Sequence, residues 1–574
     1  MKILMINSVC GIRSTGRICT DLAQELEKQG HEVKIAYGRE DVPAEFQKYA
    51  VRIGNDNDVK IHGVMARVFD ASGFGSKSVT KKFISWVKKF DPDIIHLHNI
   101  HGYYINIEVL FEYLKICGKK IIWTLHDCWA FTGHSAFCDA VHCERWEKGC
   151  SDCPQIKEYP KSYSDHSKTN WERKKSCFTG ISNLMIVTPS HWLAGLVKRS
   201  FLKEYPVKVI HNGIDTTKFY PLSNDFREVY GLENKFVLLG VASSWNDLKG
   251  YSDFIKLSHM LSDEYRIVLV GLNQKQMEEL PENIVGIQRT NSIKELAYIY
   301  SSADLFLNLT YCDNYPTVNL EARACGLPVV TYNTGGSPES AGMIPELTAT
   351  KGDLKNVLKD IERFRAFPEA FKNEHSKDKY DKRFAVAAYI SEYLVDKNNP
   401  VGGGYCALRK KYEVIGKTVI LGVAAIWDYR KGLDIFIALN KSLDEKYQII
   451  LIGLNDQQLS VLPDNIIGFK RTDTIKQLQE LYAIADIFLN PTIEDNYPTT
   501  NLEAISCGTP VLTFKTGGSP ESALWYGNIC QSSIDSIKEK LDCLRLLKIE
   551  ENVYAKLTIN ATTAKYIKMM KTQL

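Results

Sequence analysis

One ten-residue phrase occurs twice in this chain, as DNYPTVNLEA at residues 313–322 and as DNYPTTNLEA at residues 495–504. An apolar run precedes it each time. In the first copy Pro316 falls near the start of a helix and Gly326 near its end. Asp313 is then expected at the carboxyl end of a buried strand, where open α/β sheets bind ligands. The phrase therefore predicts an α/β fold with a ligand site at a sheet edge, built twice.

The repeat extends well beyond this phrase. TGGSPESA is identical at residues 334–341 and 516–523, and Trp245 matches Trp427, each pair 182 positions apart. No insertion or deletion separates the two copies from their first strand to TGGSPESA. This is a duplicated domain and not a short-period solenoid.

The first third of the chain has no second copy. It alternates apolar runs such as ILMIN, HEVKIAY, DIIHLH and IIWTLH with amphipathic stretches such as TGRICTDLAQELEKQG. Short apolar strands separated by helices indicate a parallel, doubly wound sheet. The 574 residues are too many for one hydrophobic core.

We therefore expect three Rossmann-like domains of the α/β class. They are an N-terminal domain at residues 1–215, a second domain (copy one) at 216–395, and its duplicate (copy two) at 405–574, after the Pro/Gly linker VDKNNPVGGG at 395–404.

Composition excludes some functions. The net charge is +3 and the basic residues are dispersed, so no nucleic-acid partner is expected. No apolar run reaches eighteen residues, so no transmembrane helix is expected. The 15 cysteines are scattered and odd in number, which favours a reducing cytoplasm. Peripheral contact with an anionic inner-membrane face stays an alternative.

The repeated motifs offer a site for a hydroxylated, anionic ligand. Asp313 and Glu321 could accept hydroxyl protons, although a helix cap and a solvated acid are the simpler interpretation of an isolated phrase. Gly335 and Gly336 follow the next strand, and backbone N–H groups at such a turn can hold diphosphate. Lys249 follows the first strand of the same sheet and could neutralise phosphate, although alone it reads as a surface lysine.

Seven motifs, in order, resemble glycosyltransferase family 4, of the GT-B fold, and in particular its colanic-acid and capsule-type bacterial enzymes. They are HNIHGYY, WTLHDCWAFTGH, VTPSHWLAGLV, HNGID, WNDLKG, DNYPTVNLEA and TGGSPE. The resemblance covers residues 1 to about 395, and it implies that residues 1–215 form the acceptor-side domain, that 216–395 form the donor-binding domain and that 405–574 are a duplicate of the donor type. It implies transfer of a sugar from a UDP- or GDP-linked donor, with retention at the anomeric carbon and without a catalytic metal. The implied acceptor is a glycan or lipid-linked oligosaccharide in cell-surface polysaccharide biosynthesis.

The resemblance also implies roles for donor-side residues. Asp313 takes the first acidic position of the family's motif and would touch the donor sugar. Glu321 takes the second and would hold the ribose hydroxyls. Lys249 would stabilise the leaving diphosphate, and Gly335 and Gly336 would approach the diphosphate or sugar.

On the N-terminal side, Gly16 in RSTGRI matches the family's loop beside the phosphates. His126 in TLHD matches the histidine that lines the reacting sugar. Asp127 would either orient His126 or meet the acceptor.

The chain departs from the family pattern in two ways. The usual Glu at the first acidic position is Asp in both copies, and the usual Arg six residues before Lys249 is Ser243, with Ala425 in copy two. These changes put the sugar contacts and the strength of phosphate binding in question.

Copy two has no N-terminal domain of its own, but it keeps a second donor-type set. Its members are Arg430, Lys431, Asp495, Glu503, Gly517 and Gly518. Three arrangements are open. Copy one works with the N-terminal domain, which we favour because its helical tail is present; copy two serves the cleft and copy one is a spacer; or copy two holds another subunit or a nucleotide regulator.

Four cysteines lie close together in sequence, at Cys138, Cys143, Cys150 and Cys153. A structural zinc with four thiolate ligands is one interpretation. Reduced thiols packed as small apolar groups, or one or two disulfides, are the others.

Two other function classes compete with a transferase. A non-catalytic protein that binds nucleotide-sugars or glycans would fit the missing arginine, whereas the TLHD motif and paired acids argue against it. A sugar-nucleotide epimerase shares the GT-B fold but needs no acceptor groove, and HNIHGYYIN resembles an acceptor-side loop.

Overall fold

The structure, a computed structural model, describes residues 1–371, 380–394, 409–495, 498–507, 509–523 and 527–545. The chain divides into two compact units, unit 1 at Met1–Tyr393 and unit 2 at Leu394–Leu574. The linker expected at 395–404 lies outside the described residues.

Unit 1 begins with a seven-stranded parallel sheet of order β3-β2-β1-β4-β5-β6-β7. Its strands are β1 (Lys2–Ile6), β2 (Glu32–Tyr37), β3 (Ala50–Arg52), β4 (Ile94–Leu97), β5 (Lys120–Thr124), β6 (Leu184–Thr188) and β7 (Val207–Val209). Its helices are α1 (Arg13–Lys28), α2 (Asp56–Phe69), α3 (Lys77–Phe90), α4 (Ile107–Ile116), α5 (Ser167–Phe178) and α6 (His191–Arg199). The central strands are apolar on both faces because helices cover the sheet from both sides.

The second sheet of unit 1 belongs to copy one and has the order β10-β9-β8-β11-β12-β13. Its strands are β8 (Phe236–Val241), β9 (Tyr265–Val270), β10 (Ile284–Ile287), β11 (Leu305–Asn308), β12 (Val329–Tyr332) and β13 (Thr348–Ala349). Its helices are α7 (Phe226–Val229), α8 (Tyr251–Ser258), α9 (Gln274–Glu278), α10 (Ile293–Ser302), α11 (Thr317–Ala324), α12 (Ser337–Ala341) and α13 (Leu354–Ala366). Strands β8, β11 and β12 are neighbours, so the loops that follow them meet at one edge.

The tail of copy one returns to the N-terminal domain as α14 (Lys382–Leu394). Tyr389 and Tyr393 join the buried cluster that contains Ile3 and Leu22 of the first sheet and α1. The hydroxyl of Tyr393 lies 2.6 Å from Nδ1 of the buried His96. This is the packing that we expected of copy one as the partner of the N-terminal domain.

Unit 2 contains one six-stranded parallel sheet of order β16-β15-β14-β17-β18-β19. Its strands are β14 (Thr418–Val423), β15 (Tyr447–Ile452), β16 (Ile466–Phe469), β17 (Ile487–Asn490), β18 (Val511–Phe514) and β19 (Gly527–Cys530). Its helices are α15 (Leu433–Ser442), α16 (Asp456–Ser460), α17 (Ile475–Ile484), α18 (Thr499–Ser506), α19 (Ser519–Ala523) and α20 (Ile534–Arg545). The order of strands repeats that of copy one, which confirms the predicted fold class of three Rossmann-like sheets.

None of the helices in the described ranges combines the length and the apolar character that a bilayer-crossing helix needs.

The contact between Tyr393 and His96 gives the first prediction. Tyr393→Phe removes the hydroxyl and leaves Nδ1 of a buried imidazole without that partner, which costs about 1–3 kcal/mol. We expect a lower melting temperature for unit 1 in differential scanning calorimetry. Tyr429→Phe is the matched control, because its side chain is 75% exposed and little should change. An equal shift in both variants would contradict the proposed weight of this contact.

Candidate functional site

A lysine and an aspartate meet where two neighbouring strands of copy one end. Lys249 closes the short helical turn after β8, and Asp313 lies in the loop after β11. The Nζ of Lys249 is 2.6 Å from Oδ2 of Asp313. Burial lowers the pKa of Lys249, but the Asp313 carboxylate raises it more, so the net shift is upward. The lysine is therefore charged at neutral pH, and a bound anion would compete with Asp313 for it.

Glu321 stands on α11, the helix that follows Asp313. Its carboxylate accepts a hydrogen bond of 3.0 Å from the hydroxyl of Tyr300 on α10. Partial burial raises its pKa to about 7, while the Tyr300 hydrogen bond and the charge of Arg17 from α1 lower it. An acid in this state exchanges hydrogen bonds with hydroxyl groups readily, since it accepts when ionised and also donates when protonated. Arg17 brings positive charge from the N-terminal domain to the same place.

The glycine turn after β12 packs directly against the acidic loop. Gly335 has φ +56°, and a Cβ there would lie 1.9 Å from the backbone oxygen of Asp313. The N–H of Gly336 donates to that oxygen at 3.1 Å, and a Cβ on Gly336 would lie 1.8 Å from the oxygen of Asn314. The turn therefore requires glycine because it holds the backbone of the acidic loop, a role that the sequence analysis did not assign to it.

On the N-terminal side, Gly16 is the fourth residue of α1 and not part of the preceding loop. The loop residue with a glycine conformation is Gly11, which has φ +75° and donates to the oxygen of Gly16 at 3.2 Å. The sequence analysis missed Gly11, although it lies in the loop that follows the first strand, within VCGIRSTG.

His126 is the third residue of the TLHD motif and lies just after β5. Its Nε2 lies 3.1 Å from Nδ1 of His98, and the two rings stack with centroids 5.4 Å apart. Burial lowers the pKa of His126 to about 4, so the imidazole is neutral at physiological pH. A neutral imidazole can exchange hydrogen bonds with a sugar hydroxyl without adding a charge.

Asp127 pairs with a different histidine from the one that we considered. Its Oδ2 lies 2.9 Å from Nε2 of His101, and its Oδ1 accepts the N–H of Trp129 at 2.9 Å. Nδ1 of His101 lies 3.1 Å from the hydroxyl of Tyr159. The hydrogen bonds of Asp127 are thus made with His101 and the backbone of Trp129, while its charge acts on His126 by raising the pKa of that imidazole. That Asp127 orients His126 or meets the acceptor stays a prediction. The HNIHGYY motif carried the signal for His101.

Asn314 joins the two domains of unit 1 beside these residues. Its Nδ2 donates to the backbone oxygen of His126 at 3.1 Å, and its Oδ1 accepts the hydroxyl of Ser190 at 2.6 Å. Glu339 adds a second link, because its carboxylate accepts the N–H groups of His191 and Trp192 at 2.8 and 2.7 Å. The sequence analysis missed Asn314 and Glu339. Their positions inside the repeated phrases were the available signal.

The four cysteines of the expected metal centre have separate contacts. A hydrogen bond with Cys138, and then burial, raise the pKa of Cys128, so Cys138 is engaged with a cysteine outside the expected set. Cys150 accepts the N–H of Gly133. Within the described ranges, three potential metal ligands come within 4.8 Å of one another only at His191, His211 and Glu339. The geometry thus gives the zinc interpretation of Cys138, Cys143, Cys150 and Cys153 no support.

Copy two assembles the corresponding side chains in unit 2. Lys431 lies 2.6 Å from Asp495, and Glu503 accepts the hydroxyl of Tyr482 at 2.9 Å. Arg430 is exposed and pairs with Asp428 at 2.7 Å instead of pointing into this set.

Comparison with known proteins gives three matches to family models. Residues 15–218 match Glycosyltransferase Family 4, and residues 223–348 and 417–540 each match Glycosyl transferases group 1.

Individual relatives agree with these matches. The chain is 24% identical over 352 residues to the putative colanic acid biosynthesis glycosyl transferase WcaC of Escherichia coli. The alignment covers 59% of this chain and 85% of the relative. It is 27% identical over 152 residues, 24% of this chain and 39% of the relative, to N,N'-diacetylbacillosaminyl-diphospho-undecaprenol alpha-1,3-N-acetylgalactosaminyltransferase of Campylobacter jejuni.

Among solved structures, sucrose-phosphate synthase from Thermosynechococcus elongatus aligns with a TM-score of 0.52 at 15% identity. The alignment covers 68% of this chain and 98% of that one. At this identity the likeness concerns the fold, and it confirms the expected pairing of two Rossmann-like domains in the GT-B manner.

The raised pKa of Glu321 predicts how stability depends on pH. Its folded-state pKa of about 7 exceeds the ordinary 4.5, so ionisation of Glu321 destabilises the fold. Wild-type stability is expected to fall relative to Glu321→Gln as pH rises from about 4.5 to 7. Above pH 7 the variant should be more stable by about 2 kcal/mol, allowing for partial exposure. Denaturant unfolding across this range measures the difference.

Glu282→Gln serves as the control, since Glu282 is an exposed acid of the same domain. A pH-independent difference between wild type and Glu321→Gln would contradict the raised pKa.

Proposed function

Because the chain belongs to the glycosyltransferases, with a family 4 domain followed by two group 1 domains, we propose that unit 1 transfers a sugar from a nucleotide-sugar donor to an acceptor hydroxyl with retention at the anomeric carbon. The observation that carries the proposal is the ion pair of Lys249 and Asp313 at the carboxyl edge of the sheet, with Glu321 on α11, the helix that follows Asp313. The link from Asn314 to the backbone of His126 brings the N-terminal histidine to the same edge.

The donor half supplies groups for each part of the donor. Glu321 accepts hydrogen bonds from the ribose hydroxyls, a role supported by the hydrogen bond that it already accepts from the hydroxyl of Tyr300. Lys249 turns from Asp313 to the diphosphate and stabilises the charge that develops on it, so that no catalytic metal is needed. Asp313, released from the lysine, accepts a hydroxyl of the donor sugar.

The N-terminal half supplies the neutral imidazole of His126 to the face of the sugar. During transfer the bond from the anomeric carbon to the diphosphate oxygen breaks and a bond to the acceptor oxygen forms on the same face. The acceptor proton passes to the leaving diphosphate. Arg17 is a candidate for part of the positive charge that is lost with Ser243, since it already acts on Glu321.

The donor is UDP- or GDP-linked in this proposal, and the acceptor is a glycan or a lipid-linked oligosaccharide. Support for the acceptor comes from the relatives, one of which is named for colanic acid biosynthesis and another for an undecaprenol-diphosphate substrate. We propose that His101, held by Asp127 and Tyr159, lines the acceptor side.

Turnover of donor and acceptor tests the assignment. Glu321→Ala is expected to lower kcat/KM at least about 100-fold, because a partly buried carboxylate that positions the donor is lost. The measurement is release of nucleoside diphosphate with an extract of lipid-linked oligosaccharides as acceptor. Glu282→Gln should keep wild-type turnover. The assignment would be wrong if Glu321→Ala kept full turnover while Glu503→Ala lost it.

We further propose that α2 rests on the cytoplasmic face of a membrane. Ile61 and Val64 are each 62% exposed and Phe69 is 61% exposed, so one side of this helix presents apolar groups to solvent. Lys60 and Arg67 are exposed on the same helix and suit anionic headgroups.

Co-sedimentation with vesicles checks this contact. Wild type is expected to bind vesicles that contain phosphatidylglycerol better than vesicles of phosphatidylcholine alone. The double variant Ile61→Ser, Val64→Ser should lose most of that binding. Val461→Ser is the control, being 70% exposed on unit 2. Equal binding of the double variant and wild type would refute the contact.

A further inference from the structure

Unit 2 keeps the donor-half geometry of copy one in detail. The distance from Nζ of Lys431 to Oδ2 of Asp495 is 2.6 Å, the same as for the copy-one pair. The hydroxyl of Tyr482 donates to Glu503 at 2.9 Å, against 3.0 Å in copy one. The lysine and aspartate again follow neighbouring strands, here β14 and β17, whereas Tyr482 and Glu503 stand on the helices α17 and α18. The arrangement of charges that copy one presents to a donor is therefore present twice.

The glycine turn is also conserved in shape between the two copies. Gly517 has φ +50°, and a Cβ there would lie 2.0 Å from the oxygen of Asp495. The N–H of Gly518 donates to the same oxygen at 3.0 Å. Any side chain at Gly517 would push the acidic loop away and separate Asp495 from Lys431. The turn thus preserves an arrangement of polar side chains and not merely a connection.

Without a ligand, the charged form of Glu503 lowers the stability of unit 2. Partial burial raises its pKa, and the Tyr482 hydrogen bond lowers it only in part. In the described part of unit 2 no cationic side chain offsets this effect, whereas Arg17 of the N-terminal domain does so for Glu321. A glutamine would accept the same hydrogen bond without the penalty of a buried charge. Folding alone therefore does not explain an acid at this position, whereas ribose hydroxyls do.

The rim of this site differs from that of copy one. Ile426, Tyr429 and Ile493 are 74%, 75% and 45% exposed. In copy one the corresponding residues are, in the same order, the polar Ser244, the polar Asp247, and Tyr311, whose hydroxyl donates to Asp253. The conserved part of the site is thus the part that holds ribose and diphosphate, and the variable part lies around it.

The catalytic half has no counterpart within unit 2. In unit 1 the N-terminal domain covers the donor half through two contacts. Asn314 donates to the backbone oxygen of His126, and the carboxylate of Glu339 accepts the N–H of His191 at the start of α6. The described residues of unit 2 form one sheet only, and Glu521, the counterpart of Glu339, is exposed. A ligand held by Lys431 and Glu503 meets no histidine of the TLHD type from its own unit.

We propose that unit 2 is a second nucleoside-diphosphate site, which holds the nucleotide part of the donor or of the product without transferring a sugar. The ligand class rests on the proposed function of unit 1. The role that follows is regulatory, because occupancy of such a site reports the concentration of donor or product without consuming either.

Isothermal titration of the full-length chain with UDP, and separately with GDP, tests the proposal. Wild type should bind about two equivalents of one of them. Lys249→Ala should leave one equivalent, Lys431→Ala should leave the other, and the double variant should bind none. Each substitution is expected to weaken its own site at least about tenfold. Glu503→Gln, which keeps the shape of the side chain and its contact with Tyr482, should weaken the same site as Lys431→Ala.

Lys441→Ala is the matched control, an exposed lysine of unit 2 on α15, and it should keep two equivalents. The proposal is overturned if Lys249→Ala alone removes all binding, or if neither nucleotide binds at any site. Binding that only Lys431→Ala removes would support a site in unit 2 while contradicting the donor assignment in unit 1. Failure of the two proposals is thereby distinguishable.

Discussion

The chain passes between the two domains of unit 1 twice, and the two crossings are bound to each other. The N–H of Ile214 donates to the oxygen of Tyr380 at 2.8 Å, and the N–H of Lys382 donates to the oxygen of Ile214 at 2.7 Å. A Cβ on Gly213 would lie 2.4 Å from the Cα of Lys382, so the two strands can approach this closely only with glycine there. This joint determines where α14 starts, and α14 in turn packs Tyr389 and Tyr393 against the first sheet.

The joint also fixes copy one against the N-terminal domain within unit 1. Because the outgoing and returning segments of copy one are both fixed to that domain, the loops at the carboxyl edge of its sheet are held opposite β5 and α6. Asn314 and Glu339 then complete the contact through hydrogen bonds to backbone groups. Such contacts depend on position more than on side-chain identity across the interface. Identical phrases in copy two consequently have different surroundings.

Much of the fold was predictable because its signals are local. Short apolar runs separated by amphipathic segments predict parallel strands, and the register of 182 residues predicts that copy two repeats copy one. The pairing of Lys249 with Asp313 was predictable in part, since both follow neighbouring strands. The partner of Asp127 was not predictable, because His126 adjoins it in the sequence whereas His101 lies on a separate segment, and only the tertiary structure brings His101 to it. The role of the glycine turn was also hidden, since a sequence shows that glycine is present but not which backbone lies 2 Å away.

The cysteine loop is a case in which spacing in the sequence did not predict the structure. The spacing of Cys150 and Cys153 resembles a metal knuckle, but a tetrahedral site requires four sulfur atoms to converge, and spacing does not determine that. Here Cys138 is directed towards Cys128. Four nearby thiols in sequence are thus distributed between the core and the partly exposed surface. The acidic pairs behave differently, because Lys249 and Asp313 follow neighbouring strands of one sheet, and Tyr300 and Glu321 stand on the helices α10 and α11 on either side of β11. Convergence at a sheet edge follows from topology, whereas convergence inside a loop depends on the loop's own path, and only the first can be inferred with sequence in hand.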